Sequence, residues 1–220
     1  MTVELDFGAV LASWPLLLVG VAWTLGLTAV SAVLGVLTGI AFAWARSEGP
    51  VLLQTVVGAY VELIRNTPFI VQLFFIFFGL PAAGFRLSPE VASVIAMVVN
   101  LSAYATEIVR AGIEATPRGQ REAAISLALS PTQTFVYVVT PPALARIWPA
   151  LVSQIIIVML GSAVCGQISV PELTFATSLI QSRNFRSFEA FIIVAAIYLV
   201  LAFTVRRLLR WAGPRFVFGR

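Results

Sequence analysis

Residues Ala103 to Ala145 read AYATEIVRAGIEATPRGQREAAISLALSPTQTFVYVVTPPALA, the only long interval in which charges, prolines and small residues displace the apolar runs found elsewhere. It begins at the end of one apolar segment and finishes at the start of another. Charged residues are costly inside a hydrocarbon core, so the chain is expected to leave the membrane here. The interval predicts a structured loop between two membrane spans.

The first half of this loop is expected to form a short helix over Gly119 to Leu129. Arg121 lies in its first turn, and small or apolar residues recur on one face at three- and four-residue spacing. Ser130-Pro131 should end the helix, because a residue before proline is pushed out of the α region. We therefore expect Ala128 to stay helical, since a left-handed alanine costs about 1 to 2 kcal/mol, and the bend to fall at Ser130-Pro131.

The second half of the loop predicts another short helix. Thr132 to Val139 is amphipathic and then meets Pro141-Pro142. Two small helices at an angle, presented between two membrane helices, are typical of a knob that docks into a groove of another protein.

The composition of the whole chain indicates an integral membrane protein. Of its 220 residues 60% are hydrophobic and 11% charged, and the mean hydropathy is +0.98. A soluble domain cannot bury so much apolar surface. There is no histidine and the only cysteine is Cys165, which reads as a small core residue, so no metal site or disulfide framework is expected. All 14 basic residues are arginines that flank apolar segments, which argues against a nucleic-acid role.

The apolar runs predict a single all-α domain over residues 1–220 with five transmembrane helices. The first run, Trp14 to Ala45, carries no charge and exceeds the roughly 20 residues needed to cross a bilayer. It is too long for a cleaved signal peptide, and no basic residue precedes it. In the second span, Val51 to Glu62 reads as an interfacial helix, and Pro68 suits the first turn of the helix that completes the crossing. The predicted spans are 14–45, 51–83, 91–110, 146–170 and 188–208, with the loop at 111–145.

The arginines set the orientation. Five spans put the termini on opposite sides, and a cytoplasmic C-terminus places ten arginines inside and three outside, with Arg65 undecided, which satisfies the positive-inside rule. The N-terminus is then outside and the loop is cytoplasmic. The inside arginines are Arg46, Arg110, Arg118, Arg121, Arg146, Arg206, Arg207, Arg210, Arg215 and Arg220, and the outside ones are Arg86, Arg183 and Arg186. Arg183 and Arg186 lie in a predicted turn over Pro171 to Glu189.

The sequence carries no catalytic motif, so no catalytic residue is expected. The patterns GxxxxGK[ST], GxSxG and HExxH are all absent. Glu62 and Glu107 are each followed three residues on by an arginine, a spacing typical of charge neutralisation near an interface. A ligand role stays open for Glu62, whose surroundings are more apolar.

Uncharged polar residues inside the spans are the candidates for a polar path. Polar groups at this depth face a protein interior or a water-filled cavity. Interhelical hydrogen bonding is the alternative, and it weighs about equally for Thr24 and Gln154. The run Gly161 to Gln167 is rich in small residues and glycines, which can expose backbone to a polar ligand. The path candidates are Glu62, Asn66, Thr67, Gln72, Asn100, Ser162 and Gln167.

Motifs along the chain resemble those of ABC importer permeases. Glu122-Ala123-Ala124 followed by Leu127-Ala128-Leu129-Ser130 resembles the EAA loop of that family, although relatives usually carry glycine at the position of Ala128. Other motifs resemble the polar amino acid branch, the histidine/glutamine type, and follow one another in family order from about Gly20 to Phe203. These are Glu62 to Pro68 with Gln72 to Phe75, Ala103 to Arg110, Pro117 to Gln120, and Val170 to Thr174.

This resemblance implies a type I ABC importer transmembrane domain in a bacterial inner membrane. The EAA loop of the family docks on an ATPase subunit, which implies coupling roles for Gly119, Glu122, Ala123, Ala124, Leu127 and Ala128. The expected partners are two ATPase subunits that hold ATP-Mg, a second permease subunit, identical or paralogous, and a periplasmic or lipid-anchored amino-acid-binding protein. No cofactor is expected in this chain. The segment from Pro171 to Glu189 is the expected surface for the binding protein, with a solvated loop as the equal alternative for its arginines.

Two further functions remain open from the sequence. A proton- or ion-coupled carrier would need intramembrane carboxylates and usually an internal repeat, and only Glu62 favours it. An importer of another zwitterion, such as a compatible solute, is the other alternative, because relatives often carry serine at the positions of Ala163 and Gly166.

Overall fold

The computed structural model describes residues 5–217, and every regular element in that range is a helix. Residues 1–4 and 218–220, which include Arg220, lie outside the described range. In chain order the helices are α1 Gly8–Leu11, α2 Trp14–Glu48, α3 Val51–Arg65, α4 Phe69–Ala82, α5 Pro89–Glu114, α6 Arg118–Ser126, α7 Pro131–Ile168, α8 Leu173–Asn184 and α9 Ser187–Ala212, which a π-helical turn extends over Gly213–Val217.

Within the described residues, four helices are long and apolar enough to cross a membrane: α2, α5, α7 and α9. The pair α3 and α4 makes a fifth candidate, bent at the break between Arg65 and Phe69. The amide of Asn66 caps α3 by donating to the Glu62 carbonyl at 2.8 Å, and Pro68 precedes the first residue of α4. The five predicted spans thus correspond to four continuous helices and one bent pair.

The observed helices run beyond several predicted boundaries. α2 extends to Glu48, and α5 continues to Glu114 where the prediction ended at residue 110. The prediction of a turn from Pro171 to Glu189 is wrong for the centre of that segment, which forms the twelve-residue helix α8. The buried carboxylate of Glu172 starts that helix by accepting from the Thr174 and Phe175 amides at 2.8 and 2.7 Å.

The chain divides into two compact units, each assembled from segments distant in sequence. The first comprises the residues up to Ser31, Phe69–Met97 and Ile156–Val205, and the second comprises Ala32–Pro68, Val98–Ile155 and the residues from Arg206 onward. The helices α2, α5, α7 and α9 each contribute to both. Buried apolar side chains form the core of the first unit, among them Val10, Leu17, Leu173, Ile180, Ala190 and Val194. A corresponding cluster in the second contains Ala43, Ala105, Val109, Ile113, Phe135, Val139, Ile147 and Leu151.

Close packing of α2 on α5 in the second unit depends on two glycines one helical turn apart. A Cβ at Gly35 would lie 2.9 Å from the Leu101 Cβ, and a Cβ at Gly39 would lie 2.5 Å from the Ala105 Cβ. Glycines at this spacing let two membrane helices approach closely, which increases the dispersion contact between them.

We therefore expect Gly39→Ala to destabilise the protein by about 1 to 2 kcal/mol, because the added methyl group forces α2 away from α5. The matched control is Gly26→Ala in the same helix, where an added Cβ meets no atom within 4 Å. Thermal unfolding in detergent should show a lower Tm for the first variant and an unchanged or higher Tm for the second. Equal Tm values for the two variants would contradict the packing argument.

The second predicted loop helix is not separate, because α7 runs without interruption from Pro131 to Ile168. Ser130-Pro131 begins this helix rather than ending the previous one: the Ser130 hydroxyl accepts from the Gln133 amide, and the Gln133 side chain accepts from the Ser130 amide. Pro141-Pro142 follow a π-helical turn over Thr134–Val139. That turn contains the carbonyl groups against which the two proline rings would clash in a regular α-helix, so the prolines are accommodated.

Candidate functional site

The loop helix α6 is held by contacts within the second unit. Arg121 at its first turn donates to the Glu48 carboxylate at the end of α2, at 2.7 Å. Ala124 is only 2% exposed, and α6 packs against the π-helical turn of α7. The small face proposed for docking is therefore divided: Ala124 packs inside the chain and cannot contact a partner, whereas the other five predicted coupling residues are exposed, namely Gly119, Glu122, Ala123, Leu127 and Ala128.

Large apolar side chains are exposed on and beside α6. Leu127 is 76% exposed and Ile125 69%, and on the π-helical turn Tyr137 is 73% exposed. Next to them lies a groove of about 210 Å³ lined by residues of both elements, including Ile125, Leu129 and Phe135. Exposed apolar groups around a groove that lies outside the predicted spans are typical of a protein contact surface.

Ala128 is left-handed, with φ of 55°, so the expectation that it stays helical is wrong, as is the expected bend at Ser130-Pro131. α6 ends at Ser126, and the two residues that follow Leu127 satisfy its last carbonyl groups. The Leu129 amide donates to the Ala124 carbonyl at 3.2 Å, and the Ala128 amide donates to the Ile125 carbonyl at 2.9 Å. This is a Schellman ending, in which the paired carbonyl groups offset the cost of the left-handed alanine.

Ala128→Gly should stabilise the protein by about 1 kcal/mol, because glycine adopts the left-handed conformation without a Cβ clash. The control is Ser126→Gly, two residues earlier and helical, which should destabilise by about 0.5 to 1 kcal/mol. Thermal unfolding should show a higher Tm for Ala128→Gly and a lower Tm for Ser126→Gly than for the wild type. A fall in Tm for Ala128→Gly would show that its methyl group contributes packing that the ending requires.

Glu107 on α5 is the centre of a charge network that the sequence reading missed. It pairs with Arg110 at 3.0 Å, as the three-residue spacing predicts, and also with Arg46 on α2 and with Arg65 on α3 at 3.7 Å. The Arg65 guanidinium also lies 5.5 Å from the centre of the Tyr104 ring. The pairing expected from Glu62 to Arg65 is not formed. One half-buried carboxylate therefore links three helices through three cations.

An open cleft of about 890 Å³ lies in the same unit. Half of its lining residues are charged, namely four arginines and three glutamates contributed by α2, α3, α5 and α6. These are Arg46, Glu48, Glu62, Arg110, Glu114, Arg118 and Arg121.

The path candidates divide between the two units. In the second, Glu62, Asn66 and Thr67 come together at the end of α3: the Asn66 amide donates to the Glu62 carboxylate at 3.1 Å, and the Thr67 hydroxyl donates to the Leu63 carbonyl at 2.7 Å. Asn100 lies half-buried on α5.

In the first unit, Gln72 is 6% exposed on α4, where the chain turns into a π-helical segment. Ser162 is fully buried and donates to the Met159 carbonyl at 2.6 Å, so its hydroxyl is used within its own helix. Gln167 is exposed on the last turn of α7, which is a 3-10 helix. The interhelical role considered for Thr24 is confirmed, because its hydroxyl accepts from the Leu173 amide at 3.3 Å.

The first unit also contains a buried polar cluster around Glu172. Besides the two backbone amides of α8, its carboxylate accepts from the Tyr198 hydroxyl at 2.9 Å. Burial raises the pKa of Glu172, and these hydrogen bonds oppose the rise. A Cβ at Gly166 would lie 2.6 Å from the Glu172 carboxylate, so the glycine provides the space that the carboxylate occupies. Within residues 5–217 no group of three His, Cys, Asp or Glu side chains could hold a metal ion.

Comparisons with known proteins agree over nearly the whole chain. Residues 31–218 match the family described as binding-protein-dependent transport system inner membrane component. The glutamine transport system permease protein GlnP of Escherichia coli (strain K12) is 36% identical over 213 residues, covering 94% of this chain and 97% of the relative. The arginine transport system permease protein ArtQ of Bacillus subtilis (strain 168) is 32% identical over 199 residues, covering 90% and 91%.

A solved structure gives the same result for the fold. A crystal structure of an amino acid ABC transporter with histidines contains a chain that is 38% identical, with a TM-score of 0.86, and the match covers 97% of this chain and 100% of that one. The family resemblance and the type I fold expected from the motifs are confirmed. The chain therefore belongs to the family of binding-protein-dependent transport system inner membrane components.

Proposed function

We propose that the chain is the membrane-spanning subunit of an ATP-driven importer that moves amino acids into the cytoplasm of a bacterium across its inner membrane. The observation that carries this proposal is the match over nearly the full chain to permeases whose names specify glutamine and arginine transport. A shared α-amino acid group is the chemistry common to those solutes.

The proposed energy source lies outside this chain. A partner ATPase, present in two copies, would bind ATP-Mg, and α6 with its exposed neighbours would dock on it. Leu127 and Ile125 support this assignment because they expose apolar surface on a helix that its own chain holds in place by Arg121 and Ala124. A fixed projection transmits the movement of a partner better than a flexible loop does.

The proposed complex contains a second permease subunit, a copy or a paralogue, and an amino-acid-binding protein on the outer face. Four spanning helices and a bent pair are too few to enclose a hydrophilic path, which supports a second permease subunit. The arginine distribution supports an outside N-terminus and a cytoplasmic α6. α8, with Arg183 exposed near its C-terminal end, is proposed to face the binding protein.

Co-purification followed by transport tests the proposal. The chain, expressed with its ATPase and binding protein, should retain the ATPase in detergent. In vesicles it should then take up a radiolabelled amino acid only when ATP is inside with the ATPase. A competition panel of amino acids and compatible solutes identifies the solute. Uptake by this chain alone, driven by a proton or sodium gradient, would overturn the proposal.

The polar residues of the predicted path are proposed to contact the solute. Asn100→Ala and Gln167→Ala should each raise the half-saturation concentration for uptake roughly five- to a hundredfold, because an unpaired polar group of a bound solute costs about 1 to 3 kcal/mol. The control is Gln54→Ala on α3, which removes an amide of the same kind outside the proposed path and the proposed binding-protein surface. Unaltered uptake by both test variants, in a folded complex, would leave these amides with a structural role.

A further inference from the structure

Four arginines follow the apolar part of α9, and we name Arg206, Arg207, Arg210 and Arg215 the C-terminal basic cluster. Among residues 5–217, no carboxylate forms an ion pair with any of the four. Most other arginines near the ends of spanning helices are neutralised, for example Arg46 and Arg110 by Glu107. The cluster is therefore a local excess of positive charge without a counter-ion in the described chain.

The helix that leads into the cluster exposes more apolar surface than the other continuous spans. In the most apolar 18-residue stretch of α9 only 17% is buried, against 33% in the corresponding stretch of α2 and 50% in those of α5 and α7. Leu199, Val200 and Phe203 on its last apolar turns are 59 to 63% exposed. This surface is suited to lipid chains, and the basic cluster follows it within one helical turn, at the level where lipid headgroups begin.

The position of the cluster is fixed by a contact with α7. The Trp148 indole nitrogen donates to the Leu209 carbonyl at 2.9 Å, and the same ring packs against Gly213, where an added Cβ would clash with it. Leu209 and Gly213 thus lie on the side of the α9 end that contacts α7. By helical position, Arg207, Arg210 and Trp211 lie on a different side, and all three are exposed.

Trp211 gives the cluster an aromatic component. Its side chain is 56% exposed, and the Arg215 guanidinium lies 5.4 Å from the centre of its ring. Tryptophan is enriched at the membrane–water boundary, where its ring is accommodated among headgroups. Arginines around such a ring at the end of a lipid-exposed helix match the arrangement that attracts anionic lipids.

We propose that the C-terminal basic cluster is a binding site for the phosphate of an anionic phospholipid, with Arg207 and Arg210 as its principal ligands. Guanidinium groups suit phosphate because they can donate two parallel hydrogen bonds. The adjoining apolar surface of α9 accommodates the acyl chains, which a free phosphate or a soluble acidic protein would leave uncovered. The site is independent of the identity of the transported solute.

Lipid binding by the purified full chain tests the site. The chain in a neutral detergent is titrated with phosphatidylglycerol, phosphatidylcholine or glycerol phosphate, and bound lipid is counted by native mass spectrometry. The wild type should retain phosphatidylglycerol and neither of the others. The double variant R207Q/R210Q should bind phosphatidylglycerol about 25-fold more weakly, from roughly fivefold for each arginine near an anionic surface.

The matched control is R86Q/R183Q, which removes the same charge from two exposed arginines elsewhere in the chain. It should bind phosphatidylglycerol as the wild type does. Tm values equal to that of the wild type in neutral detergent would show that both double variants are folded. If R207Q/R210Q does not fold, the single variant R210Q is tested in its place. Equal losses in the two double variants, or binding of glycerol phosphate as tight as that of the lipid, would overturn the proposal. Unchanged lipid binding by R207Q/R210Q would also overturn it. If the co-expressed ATPase then no longer co-purifies with this variant, the cluster is a protein contact.

Discussion

Leu127→Asp is expected to abolish solute-stimulated ATP hydrolysis and to release the ATPase from the complex. Leu127 is 76% exposed in the isolated chain, so aspartate is tolerated before assembly. On docking, its carboxylate would be buried without a counter-ion. An unpaired buried charge costs about 3 kcal/mol or more, which weakens the contact by at least roughly a hundredfold. Hydrolysis in response to loaded binding protein, and the amount of co-purified ATPase, measure the effect.

The control for this experiment is Leu127→Met, which keeps the apolar surface and should retain most stimulated hydrolysis. Membrane insertion of the aspartate variant should be normal, because Leu127 lies outside the spanning helices α5 and α7. Normal stimulated hydrolysis by a folded Leu127→Asp complex would show that α6 is not the attachment point.

Glu107→Ala should lower the free energy of unfolding by about 2 to 3 kcal/mol, the largest stability loss that we expect from a single substitution here. Removing the carboxylate leaves three arginines near one another without the charge that pairs them. This expected loss of stability is smaller than the roughly 3 to 5 kcal/mol lost when a fully buried ion pair is broken, because the Glu107 side chain is 21% exposed. Thermal unfolding in detergent at low and high salt measures it.

Glu114→Gln provides the comparison on the same helix. Glu114 pairs with Arg110, but its side chain is 61% exposed, so its loss should cost less than about 1 kcal/mol. Glu107→Gln should fall between the two, because the amide oxygen keeps one hydrogen-bond acceptor. If Glu107→Ala unfolds at the same temperature as Glu114→Gln, the network contributes no more than a surface ion pair.

The spans were predictable because a bilayer imposes a length and an apolar character that can be counted along the chain. Trp14 begins the first spanning helix, α2, and Thr24, a buried hydroxyl among apolar residues, forms the interhelical hydrogen bond considered for it. The loop at 111–145 was recognisable because its charged residues are costly to bury in the hydrocarbon core of a membrane. These properties are local, so no knowledge of the packed structure was needed.

The wrong predictions concern features that depend on partners elsewhere. Ala128 was expected to stay helical from its intrinsic backbone cost, but two hydrogen bonds to the end of α6 reverse that preference. A separate loop helix was expected over Thr132 to Val139, yet α7 continues through Pro141-Pro142 because the preceding π-helical turn accommodates them. Glu107 meets Arg46 across 61 positions of sequence, a pairing that spacing within one helix cannot reveal.

The division of each unit among three distant segments has a consequence for biogenesis. Neither unit is complete until α9 has left the ribosome, because the first ends at Val205 and the second includes the residues that follow it. At a synthesis rate of about 5 to 20 residues per second, the earliest spans wait on the order of ten seconds for their last neighbours. For the first part of that interval Gly39 has no Ala105 to pack against, and for most of it the hydroxyl of Thr24 has no Leu173 amide to accept from. Both units are therefore expected to be completed only when synthesis is nearly finished.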